Sequence, residues 1–186
     1  MHRIKSSVAL LSLLVTVTAV AQANTTAPRR FALPEHGQFV IPVPAEWKGQ
    51  VNQPANRMPP TITFTPASGK PFHILMTAIW PAARDGQPQS RDQLRATVER
   101  GVQGARTQAV EKELRVVEFQ GRTGPGFYFS ATDRAPKPDE YKFLTQGVVR
   151  VGELAVTFTI LTNDGQDAIV KQALDSLKGA TQEPVA

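Results

Sequence analysis

The chain of 186 residues contains no cysteine. That absence removes disulfide frameworks, thiol nucleophiles, thiolate zinc sites and iron–sulfur ligation together. Histidine is nearly as scarce, with three residues, and only His36 and His73 lie beyond the first two dozen positions. The patterns H-x-x-x-H, H-E-x-x-H and H-x-E, which place metal ligands and a general base at workable spacings, do not occur. No apolar run reaches the roughly 20 residues needed to span a bilayer. Charge of one sign is also lacking in blocks: the formal net charge is +5, with acids and bases mixed throughout. Such a distribution gives no nucleic-acid footprint.

What is present begins with an address. His2, Arg3 and Lys5 form a basic start, Val8 to Val20 is apolar except for Ser12, Thr16 and Thr18, and Ala21-Gln22-Ala23 supplies a small-x-small end. Together they predict a secretory signal peptide over residues 1–23, cleaved between Ala23 and Asn24, and a periplasmic or secreted mature protein. No cysteine follows the cleavage point, so acylation as a bacterial lipoprotein is not expected, nor is any membrane span after cleavage. Without the first 23 residues 163 remain, and losing Arg3 and Lys5 lowers the charge from +5 to +3. One domain is expected at that length.

Residues 24–36 carry turn formers, two arginines and little periodicity, which predicts a flexible lead. Eleven prolines fall between Pro28 and Pro88 and none between Pro138 and Pro184, so short strands and loops are expected first and long regular elements later. Phe39, Ile41 and Val43 alternate with Val40, Pro42 and Pro44, a strand that its prolines should push to a sheet edge. Gln50 to Pro60 reads as a loop. Thr61 to Thr65 alternates, as do Phe72, Ile74 and Met76, and the Ala67 to Lys70 turn makes these a hairpin. Ala82 to Gln89 is a loop.

Ser90 stands three residues before Gln93, a capping-box pattern, and Leu94, Val98, Val102 and Ala105 recur at helical spacing. Gly101 and Gly104 weaken that helix by about 1 kcal/mol each relative to alanine unless close approach to a sheet requires them. Four β-rich runs follow: Leu114 to Phe119, Gly126 to Thr132, Tyr141 to Val151 and Leu154 to Thr162. Gly152-Glu153 joins the last two in a hairpin suited to a type II′ turn. Ile169, Ala173, Leu174 and Leu177 define a closing helix stopped by Gly179. Residues 37–179 are thus one α+β domain, a mainly antiparallel sheet of about six or seven strands with two amphipathic helices packed on it. Residues 180–186 form a flexible tail.

A strand entering Pro44-x-x-Trp47 (Phe39-Val40-Ile41-Pro42-Val43-Pro44-Ala45-Glu46-Trp47), and a strong last strand feeding a terminal helix over Val148 to Leu177, resemble the Mog1/PsbP-like family. The resemblance implies an antiparallel sheet between helices. It also implies a non-enzymatic binding or assembly role, since one branch engages a small GTPase and another a membrane photosystem complex. No binding residue carries over, because the surfaces those members use are not encoded in the matching motif.

Local chemistry is sparse. Ser68, Ser90, Ser130 and Ser176 fall in neither G-x-S-x-G nor S-x-x-K. Ser68-Gly69-Lys70 lacks the Walker order, and Gly124-x-Gly126 leads into a strand rather than a helix. Asp133, Asp139 and Glu140 share a loop with Arg134, Lys137 and Lys142, and Asp164 and Asp167 open a helix. No catalytic residue, metal or cofactor is therefore expected, and the chain is not expected to be an enzyme. Trp47, Phe127 and Phe129 should fill the core. Trp80, Arg84, Tyr128, Arg134 and Tyr141 lie near strand ends and loops and are the candidate binding residues; Trp80 and Tyr141 suit core or interface equally. The expected function is an exported accessory domain that binds another envelope protein or complex. A small-ligand or lipid carrier with an apolar pocket is the alternative, followed by a hydrolase with a non-local site around His73. The oligomeric state is not readable from sequence.

Overall fold

The computed structural model describes residues 25–54, 58–81 and 86–184. The expected leader and Arg84 lie outside the described residues. Ten strands and two helices follow one another: β1 (Thr26–Leu33), β2 (Gly37–Pro44), β3 (Trp47–Asn52), β4 (Thr61–Pro66), β5 (His73–Ile79), α1 (Arg91–Ala105), β6 (Val117–Gln120), β7 (Pro125–Thr132), β8 (Phe143–Val151), β9 (Leu154–Thr162), α2 (Asp167–Gly179) and β10 (Thr181–Glu183). A seven-stranded sheet has the order β3-β4-β5-β9-β8-β7-β6, and a three-stranded sheet has the order β1-β2-β10. Every strand pairing is antiparallel, as the short connections require.

Alternation along the strands builds two cores on opposite faces of the large sheet. On one face Ile62, Phe64, Ile74, Met76, Val149, Val156, Phe158 and Ile160 meet Phe39 and Ile41 of β2 and Ala173 and Leu177 of α2. On the other face Phe127, Phe129, Ala131 and Val148 meet Leu94, Val98 and Val102 of α1. Layered from one side to the other, the molecule is small sheet with α2, large sheet, then α1.

Local signals act where they were legible. Ser90 caps α1: its Oγ accepts from the Gln93 N–H at 3.3 Å, and the Gln93 Oε1 accepts from the Ser90 N–H at 2.7 Å. β9 occupies the residues its alternation marked out, and Gly152 takes φ +62° while Glu153 does not become positive, the pattern of a type II′ turn.

Three elements correct the sequence expectation. The segment read as a flexible lead is β1, and β10 occupies part of the expected tail. β1 lacks periodicity because only Phe31 and Leu33 are buried, yet it pairs with β2 over its whole length. β10 is held by β2 and by Gln182, which donates to the His36 carbonyl at 3.0 Å and accepts from the Glu153 N–H at 2.9 Å. β3 takes the start of the expected Gln50 to Pro60 loop; as an edge strand with Trp47 alone buried, it shows no alternation.

β2 is also the middle strand of its sheet and not an edge. The Ala45 N–H donates to the Thr25 carbonyl at 3.1 Å, so alternation sets Pro42 and Pro44 at the non-hydrogen-bonded positions towards β1. On the other side β10 stops at the level of Val40. No ladder bond is asked of either proline.

Acid sensitivity follows from α2 and β6. Asp175 accepts from Lys171 at 2.7 Å and from Lys178 at 3.0 Å, and these bonds hold its carboxyl below the usual range. The hydrogen bond from Arg91 does the same for Glu118. A carboxyl depressed in the folded state stabilises fully above its unfolded pKa, and that stability disappears as pH falls through the folded value. The urea midpoint is therefore expected to hold at neutral pH and fall below the carboxylate range, with a shallower acid decline in Asp175→Asn. An identical decline in that variant would remove Asp175 from the account. All of these groups are exposed, so the effect is small.

Candidate binding cleft and open sheet face

Register across the large sheet lays out the α1-side face in rows. One row reads Asn52, Thr61, Thr77, Thr157, Val148, Phe127; the next reads Gln50, Thr63, Leu75, Thr159, Gln146, Phe129; a third reads His73, Leu161, Leu144, Ala131, with Lys48 paired to Thr65 at the outer strands. α1 covers the β7 and β8 end of each row. The remaining half, over β4, β5 and β9, has no covering layer among the described residues, and its threonines, His73, Leu75 and Leu161 are half-buried by their own neighbours. The Thr61 and Thr77 hydroxyls share a hydrogen bond of 3.0 Å.

The step down from the helix to this open face is a cleft. Its wider part, about 450 Å3, has Leu144, Leu161 and Ala131 beneath it and Gly101, Gly104 and Ala105 of α1 as one wall. Tyr141, Gln108, Asp133 and Lys142 bring polar groups to it. A second part of about 220 Å3 shares Gly101 and Gln146 and reaches Thr157 and Thr159, so the cleft leads onto the bare half of the sheet. The two helix glycines differ. A Cβ on Gly101 would stand 3.0 Å from Gln146 Oε1 and 3.1 Å from Phe129 Cε1, whereas one on Gly104 would meet nothing within 4 Å. Close approach therefore explains Gly101 alone, and Gly104 widens the cleft.

The five residues singled out from sequence do not form one patch. Tyr141 is half-buried and lines the cleft. Arg134 lies near it, exposed, its Nη2 donating to the Ala109 carbonyl at 2.8 Å, which ties the segment after α1 to the end of β7. Tyr128 points to the opposite face, half-buried against Phe119 at 5.9 Å between ring centres. Trp80 sits at the far end of β5, its indole stacked on the His36 ring at 4.6 Å and 21°, and so links the large sheet to the β1–β2 turn. Arg84 lies outside the described residues. His73 has Leu161 beside it across the sheet, and no hydrogen bond or ion pair of its side chain joins it to a carboxylate or serine among the described residues.

Sequence reasoning missed Gln108, Asp133, Leu144, Gln146, Thr157, Thr159 and Leu161. One signal was available: threonines at alternate positions in β4 and β9 mark the outward side of strands that are internal to the sheet. Nothing local tells which part of that side a helix will cover.

The chain matches no protein-family model and none of the curated proteins. Among solved structures it is similar to the solution structure of cyanobacterial PsbP (CyanoP) from Synechocystis sp. PCC 6803. The TM-score is 0.55 at 12% sequence identity, over 89% of this chain and 98% of that one. The architecture is thus a PsbP-like α+β fold, as the resemblance of Phe39 to Trp47 and Val148 to Leu177 implied. A shared fold at this identity leaves function to be argued from the site.

Proposed function

We propose that this is an exported, non-enzymatic accessory domain that binds another protein or complex of the cell envelope, in the periplasm or outside the cell, after cleavage between Ala23 and Asn24. The cleft that runs from Tyr141 along α1 onto the bare sheet half is the observation that carries this reading. It is open along its length and combines an apolar floor with polar groups, which suits a segment of a partner protein. The basic, apolar and Ala-x-Ala order of residues 1–23 supports export, and the family resemblance supports a binding role.

The test is capture of partners from the envelope fraction of the source cells, with proteins identified by mass spectrometry. Tyr141→Ala and Gly104→Leu are each expected to lose a specific partner that the unaltered chain retains. A Cβ at residue 104 meets nothing within 4 Å, so Gly104→Leu is expected to occupy the cleft, and as a better helix former in α1 it should raise stability by about 1 kcal/mol. Equal capture by both folded variants would overturn the assignment. The intact mass of the exported protein checks the cleavage point separately.

A small-ligand carrier is the second reading, because about 450 Å3 falls within the usual range of ligand sites. A reproducible adduct mass on the native protein, lost in Gly104→Leu, would favour it over a protein partner.

A further inference from the structure

The four sheet edges are not protected alike. β1 carries Pro28, Arg29 and Arg30, β10 has three residues, and β6 has four with Glu118 bonded to Arg91. β3, at the outer edge of the seven-stranded sheet, has six residues, no proline, and every residue after Trp47 exposed. An edge of that kind is a template for another strand.

Register shows which backbone groups of β3 have no strand partner among the described residues. The Ala67 N–H donates to the Glu46 carbonyl at 2.8 Å, so alternation turns Lys48, Gln50 and Asn52 towards β4 and Trp47, Gly49 and Val51 outwards. Arg29 Nη2 bonds the outward Trp47 carbonyl at 2.6 Å. That leaves Gly49 and Val51 with outward N–H and C=O groups.

We propose that β3 is a self-pairing edge at which two copies of this chain join antiparallel about a two-fold axis through Gln50. Opposed residues must share a face, which excludes every register in which an even-numbered residue meets an odd-numbered one. An axis at Gly49 would need the Trp47 carbonyl that Arg29 holds, and an axis at Val51 runs off the strand at Gln53. With the axis at Gln50, Gly49 exchanges two backbone bonds with the partner's Val51, and the symmetry repeats the pair. Lys48 then faces the partner's Asn52, so no like charges meet. Val51, 46% exposed, lies opposite Gly49, on whose face the Arg29 guanidinium lies, its Nη1 3.0 Å from where a Cβ would stand. The axis stands perpendicular to the sheet, so the two bare half-faces end up side by side on one surface.

The chain has no cysteine, which makes the test clean. In this register the Gln50 Cα atoms are about 4.5 Å apart, a non-hydrogen-bonded pair, within reach of a disulfide. Gln50→Cys is expected to oxidise to a covalent dimer at least about tenfold faster than Lys48→Cys, whose two copies are roughly 13 Å apart. The unaltered chain should show a concentration-dependent dimer in sedimentation velocity, lost in Val51→Pro, which removes only an outward N–H. Equal cross-linking of the two cysteine variants would overturn the register. A monomer at every concentration up to about millimolar, near the weak end of protein association, would overturn self-pairing and leave the edge to a strand of another protein.

Discussion

Phe64→Ala is expected to lower the unfolding free energy by about 3–5 kcal/mol. Phe64 is fully buried on β4, and its ring centre stands 5.9 Å from that of Phe31 on β1 and 6.1 Å from that of Trp47 on β3. It therefore closes the gap between the two sheets, where neither backbone can move in without breaking its own ladder. Removing the ring leaves a cavity the sheets cannot collapse into, which places the cost at the high end for a phenylalanine. Against a total of about 5–15 kcal/mol for a domain of this kind, that is a large share of the stability. Urea unfolding followed by Trp fluorescence measures it directly, since Trp47 is beside the cavity. A loss below about 1 kcal/mol would show that the small sheet does not seal this core.

Gly147→Ala carries the second large effect, from the opposite cause. Gly147 sits in β8 with Tyr128 and Phe158 opposite it on the flanking strands. A Cβ there would stand 2.3 Å from the Phe127 carbonyl oxygen, 2.5 Å from Phe158 Cζ and 2.7 Å from Tyr128 Cβ. Two of these atoms belong to, or adjoin, the backbone of β7 and cannot swing aside as a long side chain would. The expected cost is about 3 kcal/mol, the upper part of the range for overpacking. Gly104→Ala makes the control: the same substitution in open space should stabilise by about 1 kcal/mol. Two variants shifted by the same amount would overturn this reading of the glycines.

The placement of Gly147 explains how the core on the small-sheet face of the large sheet packs. Phe158 lies over the space the glycine leaves, with Phe119 at 6.4 Å between ring centres, and Phe119 in turn covers Gly126. The aromatic row closes the large sheet towards its β6 edge. On the other face of the same sheet lies α1, whose edge bounds the cleft.

Read residue by residue, the sequence by itself determined the elements whose signals are local. The Ser90–Gln93 box, the alternation of Leu154 to Thr162 and the Thr61 to Ile79 hairpin each act within one turn or one strand, so their periods survive in any context, whereas Gly179, expected to stop α2, is its last helical residue without a positive φ and lies close against Pro42. The α+β class and the antiparallel sheet follow from those elements and their short connections. Tertiary structure alone decided the rest. β1, β3 and β10 are strands because partners across space satisfy their backbones, not because their own residues alternate. Pro42 and Pro44 sit inside a sheet because of the phase of their pairing. Tyr141 lines a cleft, while Trp80 is stacked on His36 at the other end of the sheet, because α1 covers one half of a face and leaves the other bare. Side-chain period is a property of the chain, whereas coverage depends on contacts between residues far apart in it, which no local pattern records.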